Sequence, residues 1–77
     1  MDEERVKAVF GSVLAEERKA RGYSQEKLSL DAEVDRSFLS EIEQGTSQPT
    51  LTTLWKLCGT LGVTPSVLIA RTEQLLA

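Results

Sequence analysis

An all-α domain of about five helices is what this chain predicts, on three observations. Apolar residues recur three and four apart over most of its length, and no segment shows the period-two alternation of a strand. Cap-forming residues stand where helices would begin (Ser24, Asp35, Thr50, Thr64), and glycines stand where they would stop (Gly22, Gly45, Gly62). With 77 residues, 40% of them apolar, the chain suffices for one small core across residues 1–77 without disulfides.

The first helix is expected over residues 3–21. Val6, Val9, Phe10, Val13 and Leu14 share one face. Acids crowd its start ("DEE", 2–4) and Arg18, Lys19 and Arg21 its end, as the helix dipole favours. Ser24 reads as the N-cap of a second helix running through Ala32, with Leu28 and Ala32 inward. Asp35 caps a third, Arg36 to Gln44, which buries Leu39 and Ile42 before Gly45 ends it in a left-handed conformation. "TSQP" is a polar turn. Thr50 then caps a fourth helix to Leu61, with Leu51, Leu54, Trp55, Cys58 and Leu61 as its apolar stripe. "TP" at 64–65 is an N-cap followed by proline at the first helical position, opening a fifth helix over 65–76. On that helix Leu68, Ile69, Thr72, Leu75 and Leu76 align, with Val67 on the other side; Leu68 and Ile69 are expected to finish the core. Leu75 and Leu76 extend past it. Together with Val67 they are expected in a dimer contact, the alternative being that they fold back on the first helix near Val6.

Composition narrows the function. One cysteine, Cys58, precludes an internal disulfide, and without histidine no Cys/His cluster exists to hold a metal. Cys58 lies on the fourth helix's apolar stripe and is expected to be inert core. No N-terminal segment combines a basic start with an apolar run, and no apolar stretch reaches membrane-spanning length, so a cytoplasmic location without membrane association is expected. An enzyme reading lacks its parts: no histidine, no placeable carboxylate pair, no glycine-rich phosphate loop and little volume for a cleft. Hence no catalytic residues and no cofactor are expected. The net charge of −3 counts against tight, nonspecific coating of DNA. Local docking survives, because the acids are concentrated at 2–4 and 16–17 whereas residues 44–50 carry no charge.

Between Ser24 and Gly45 two short amphipathic helices follow one another with only "EVD" between them. Leu28, Ala32, Val34, Leu39 and Ile42 pack such helices across each other at a steep angle. The short turn holds the third helix rigidly proud of the body, where it can enter a DNA major groove while the second lies across the backbone.

At these residues the chain resembles the lambda-repressor/Cro-like (XRE) family of helix-turn-helix regulators, from about Phe10 to Ile69. The resemblance is carried by Gly11 and Leu14, Arg18 four before Gly22, "YSQEKL", "VDRSFLSEIEQG", "PTLTTL" and "LGVTPSVLI". It implies a sequence-specific regulator of transcription on double-stranded DNA, acting as a homodimer on a two-fold operator. By position it implies phosphate contacts from Ser24, Gln25 and the amides that open the second helix. It likewise implies base-edge contacts from Arg36, Ser37 and Glu41. Stepping about 100° per residue from Leu39 and Ile42 independently turns Ser37, Ser40, Glu41 and Gln44 outward. Arg36 suits guanine O6 and N7, and Glu41 suits a cytosine amino group. Gln44, Thr46, Ser47, Gln48 and Thr50 would add uncharged phosphate contacts. Family members also pair Arg18 with Glu43; the periodicity, which sets Glu43 near the core side, fits an ion pair that orients the third helix.

Three features depart from the family pattern. Glu33 stands in the turn where glycine is common, which asks for a left-handed conformation costing about 1 kcal/mol. Ser29 replaces a usual alanine at the helix crossing. Asp35, Glu41 and Glu43 outnumber Arg36 around the third helix. That acidity leaves one rival, a protein-binding module of antitoxin-like or adaptor type on the same scaffold.

Overall fold

The computed structural model describes residues 1–77. Four of the five helices start where a side chain accepts from free amides. Asp2 accepts from the amides of Glu4 and Arg5 and opens α1 (Glu3–Ala20); Ser24 accepts from Lys27 and opens α2 (Gln25–Ala32). Asp35 accepts from Ser37 at the head of α3 (Arg36–Gln44), and Thr50 from Thr53 at the head of α4 (Leu51–Leu61). Thr64 precedes α5 (Pro65–Leu76) with the extended backbone of an N-cap, but its hydroxyl meets Ser66 Oγ at 3.2 Å and caps no amide. Proline at the first helical position removes one donor from that end, so less capping is required. No single helix is long and apolar enough to cross a membrane.

α1 packs against α3 and α5, and α2 against α3 and α4. The core takes Phe10, Val13 and Leu14 from α1, Leu28 and Ala32 from α2, and Leu39 and Ile42 from α3. Leu54, Leu57, Cys58, Leu61 and Leu68 complete it. Phe38, Val34 and Tyr23 lie partly buried against this cluster. Burial raises the Cys58 thiol pKa, with the Glu17 carboxylate adding to the shift, so the thiol is kept protonated and unreactive.

Two helices are rotated from their expected phase. On α4 the fully buried residues are Cys58, which the expected stripe included, and Leu57, which it did not, whereas Leu51 and Trp55 are 71% and 58% exposed. The buried face is centred among Leu54, Leu57, Cys58 and Leu61, and at 3.6 residues per turn Leu51 and Trp55 sit about 70 to 110° off that centre. On α5 Leu68 is buried as expected, but Ile69 is 47% exposed and Thr72 takes the inward place. Thr72 can occupy it because its hydroxyl donates to the Leu68 carbonyl at 2.8 Å.

The end of α5 lies on the start of α1. The Arg5 guanidinium donates to the carbonyls of Leu75 and Leu76, both at 3.3 Å, satisfying acceptors that the helix end leaves free. Leu76 and Val6 line one groove there. Farther along, Arg71 joins Glu16 (2.9 Å) and Glu17 (2.8 Å), and Glu17 also holds Arg21 at 2.7 Å.

Candidate nucleic-acid interface

The turn between α2 and α3 is made by Glu33, the one non-glycine residue with positive φ (57°). Its amide donates to Leu30 O and that of Val34 to Ser29 O, which ends α2 sharply and lets α3 begin three residues later. Ser29 fits the crossing because its hydroxyl turns back to Glu26 O at 2.9 Å.

α3 is then fixed from three sides. Arg18 Nε and Nη2 donate to the two carboxylate oxygens of Glu43 at 2.7 and 3.0 Å, and Nη1 donates to Tyr23 O at 2.8 Å. The side chains of both ions are nearly buried, 10% and 6% exposed, so this fork binds α1 to α3 in a low-dielectric setting. Gln25, at the head of α2, donates Nε2 to Glu43 Oε1 at 2.9 Å and brings α2 into the clamp as well. Gly11 allows the close approach: a Cβ there would strike Ile42 O and stand 2.8 Å from Glu43 O.

On the opposite face of α3, Arg36, Ser37, Glu41 and Gln44 are exposed and Ser40 is half-buried. Gln44 Nε2 reaches Ser40 Oγ at 3.2 Å. The Glu41 carboxylate accepts from Ser47 Oγ at 2.9 Å, and Thr46 Oγ1 donates to Glu41 O at 3.1 Å, so the loop after α3 is tied to that face. Ser24 and Thr50 spend their hydroxyls as caps. Gln48 is exposed on the same loop and shares a shallow groove with Lys7 of α1. The fold thus brings Arg36, Ser37, Ser40, Glu41 and Gln44 together on one helix, with Thr46, Ser47 and Gln48 beside its C-terminal end.

Val67, Leu75 and Leu76 do not form one patch. Val67 and Leu75 are 44% and 58% exposed, while Leu76 is half-buried toward Val6. Spacing alone forewarned of this, since Val67 and Leu76 are nine residues apart and fall on opposite sides of a helix.

The acidity around α3 is legible in the sequence, but the pairing of its few cations is not. Between Gly22 and Trp55 the only basic residues are Lys27 and Arg36, and both contact carboxylates. Lys27 meets Asp31 at 2.9 Å, which raises its pKa and keeps it protonated. Arg36 Nη1 meets Glu26 Oε2 at 3.4 Å. Glu26 lies ten residues from Arg36, a spacing that no helical periodicity links. No group of three His, Cys, Asp or Glu residues gathers in metal-binding geometry.

A family model described as helix-turn-helix matches residues 14–68. An uncharacterised HTH-type transcriptional regulator, y4dJ of Sinorhizobium fredii, is 30% identical over 69 residues, covering 90% of each chain. The control protein C.BamHI of Bacillus amyloliquefaciens is 32% identical over 65 residues, 83% of this chain and 80% of its own. Among solved structures, the restriction-modification controller protein C.AhdI of Aeromonas hydrophila superposes with a TM-score of 0.77 at 36% identity, covering 79% of this chain and 92% of that one. With its five helices, its turn at Glu33 and its clamped third helix, this chain belongs to the helix-turn-helix family of lambda-repressor-like, DNA-binding transcriptional regulators.

Proposed function

We propose that the chain regulates transcription by laying α3 in the major groove of duplex DNA while α2 lies across the backbone. The division of α3 carries this reading: Leu39 and Ile42 are fully buried, the outer face is polar, and a buried ion pair anchors the helix against α1. An ordinary solvated helix face has no use for such an anchor. In this reading Arg36, Ser37, Ser40 and Glu41 address base edges, Arg36 taking guanine O6 and N7. Gln25, Gln44, Thr46, Ser47 and Gln48 address phosphates, as do Ser24 and Thr50 through main-chain amides at the heads of α2 and α4. The domain works in the cytoplasm, without catalysis, metal or cofactor. Selection of bound sequences from a random duplex pool tests it: a recurrent motif with two-fold symmetry is expected, and recovery of an unselected pool would overturn it.

Direct readout has its own test. Arg36→Ala should cost about 1–3 kcal/mol on the selected duplex and relax base preference at one position per half-site. Gln48→Ala should weaken every duplex alike, because a phosphate contact carries no base information and the exposed Gln48, unlike Gln25, takes no part in holding Glu43. An unchanged preference in Arg36→Ala, with all affinities equally lowered, would make Arg36 a phosphate contact.

A two-fold operator calls for a homodimer, and we assign its contact to the outer side of α5. Leu75 is the sharper probe of the terminal pair, since Leu76 is already half-covered at home. Leu75→Asp should stay folded, sediment as a monomer and lose operator affinity. A variant that remains dimeric with full affinity removes α5 from the interface.

One observation favours a second reading, docking of a protein on the same scaffold: Leu51 and Trp55 form an exposed apolar strip on α4. Salt separates the two. DNA binding weakens steeply with added salt, and a hydrophobic contact does not.

A further inference from the structure

The helix-turn-helix has two cations, and neither is free. Such a surface has little to offer a phosphate backbone, from which most nonspecific affinity derives. Arg36 stands on α3 at the head of the exposed face, and its partner Glu26 stands in the first turn of α2, the end that would approach the backbone. The contact is loose, 3.4 Å between side chains 60% and 68% exposed, so it adds little to stability. Its effect is on where the guanidinium points and on what charge the DNA meets.

We infer that Glu26 is a specificity-determining residue: it aims Arg36 at the base edge and cancels the charge that would otherwise draw Arg36 to any phosphate. This rests on the reading of Arg36 as a base contact. A guanidinium carries five N–H groups, so one contact to Glu26 leaves enough for the two bonds that guanine accepts. Without a guanine at that position, Arg36 makes no base contact and, held beside Glu26, gains little from the phosphates in its place. Discrimination therefore comes partly from what the wrong duplex fails to gain. Glu26→Gln breaks no other side-chain contact, because Ser29 Oγ bonds the Glu26 main-chain carbonyl and the carboxylate meets only Arg36.

The test measures anisotropy on three duplexes: the one selected by the wild-type protein, the same duplex with the Arg36-dependent base pair replaced, and a scrambled one. Glu26→Gln should tighten the scrambled duplex about threefold and shrink the ratio between the first two by about threefold or more. In the Arg36→Ala background, Glu26→Gln should leave that ratio unmoved. If Arg36→Ala shrinks the ratio and Glu26→Gln does not, the role of Glu26 is overturned and that of Arg36 stands. Equal tightening on all three duplexes would mean plain repulsion without aim, and overturns it as well. A ratio indifferent to Arg36→Ala overturns the reading of Arg36 and the proposal with it.

Discussion

Glu43→Ala is expected to destabilise the domain by about 3–5 kcal/mol, because it strands the buried Arg18 guanidinium without its counter-ion. The loss has several parts. Arg18 keeps one bond, to Tyr23 O, and loses both arms of its fork, while Gln25 Nε2 loses its acceptor. In a domain whose whole stability is of the order of 5–15 kcal/mol, that is a large fraction of the total and should move the unfolding midpoint far down. Replacing both ions, Arg18→Met with Glu43→Leu, should restore most of the stability, since a buried pair often contributes little net energy over apolar residues of similar volume. The two variants separate stability from orientation. We expect the double variant to fold but to bind the selected duplex more weakly, α3 now being held by packing without a directional fork. Urea denaturation followed by circular dichroism gives the first quantity and anisotropy the second. A loss below about 1 kcal/mol in Glu43→Ala would mean that water reaches Arg18 and that the pair behaves as a surface one.

Gly11→Ala is the second large effect, about 3 kcal/mol destabilising, at the upper end of ordinary overpacking. The atoms in the way of the added methyl are the carbonyl oxygens of Ile42 and Glu43, which are backbone and have no rotamer to escape into. α3 must lift from α1, and the Arg18–Glu43 fork must lengthen with it. Gly59→Ala provides the opposite sign from the same chemical change. It lies inside α4 with nothing within 4 Å of the added Cβ, so gained helix propensity should stabilise it by about 0.5–1 kcal/mol. Equal stabilities for the two alanine variants would mean that α1 and α3 can separate without cost.

What the sequence alone determined was everything governed by neighbours along the chain. The starts of α2 to α5 follow from Ser24, Asp35, Thr50 and Pro65, and the ends of α3 and α4 from Gly45 and Gly62, because capping and left-handed stops are local chemistry. Glu33 could be placed in the turn, and Leu39 and Ile42 inward with Ser37, Glu41 and Gln44 outward, because one helix's periodicity orders its own faces. The Arg18–Glu43 pair was legible through the family pattern, with the phase of Glu43 in agreement. Tertiary structure decided the rest. Leu51 and Trp55 follow an apolar rhythm like that of Leu57, and only the position of α2 against α4 settles which of them is buried. Thr72 inward and Ile69 outward depend on how α5 is rotated on α1, which Arg71 with Glu16 and Glu17 and Arg5 with the last carbonyls help to set. The contact between Glu26 and Arg36 exists only because two helices cross. Periodicity describes one helix about its own axis; the angle between two axes is fixed by packing, and that angle determines which charges meet.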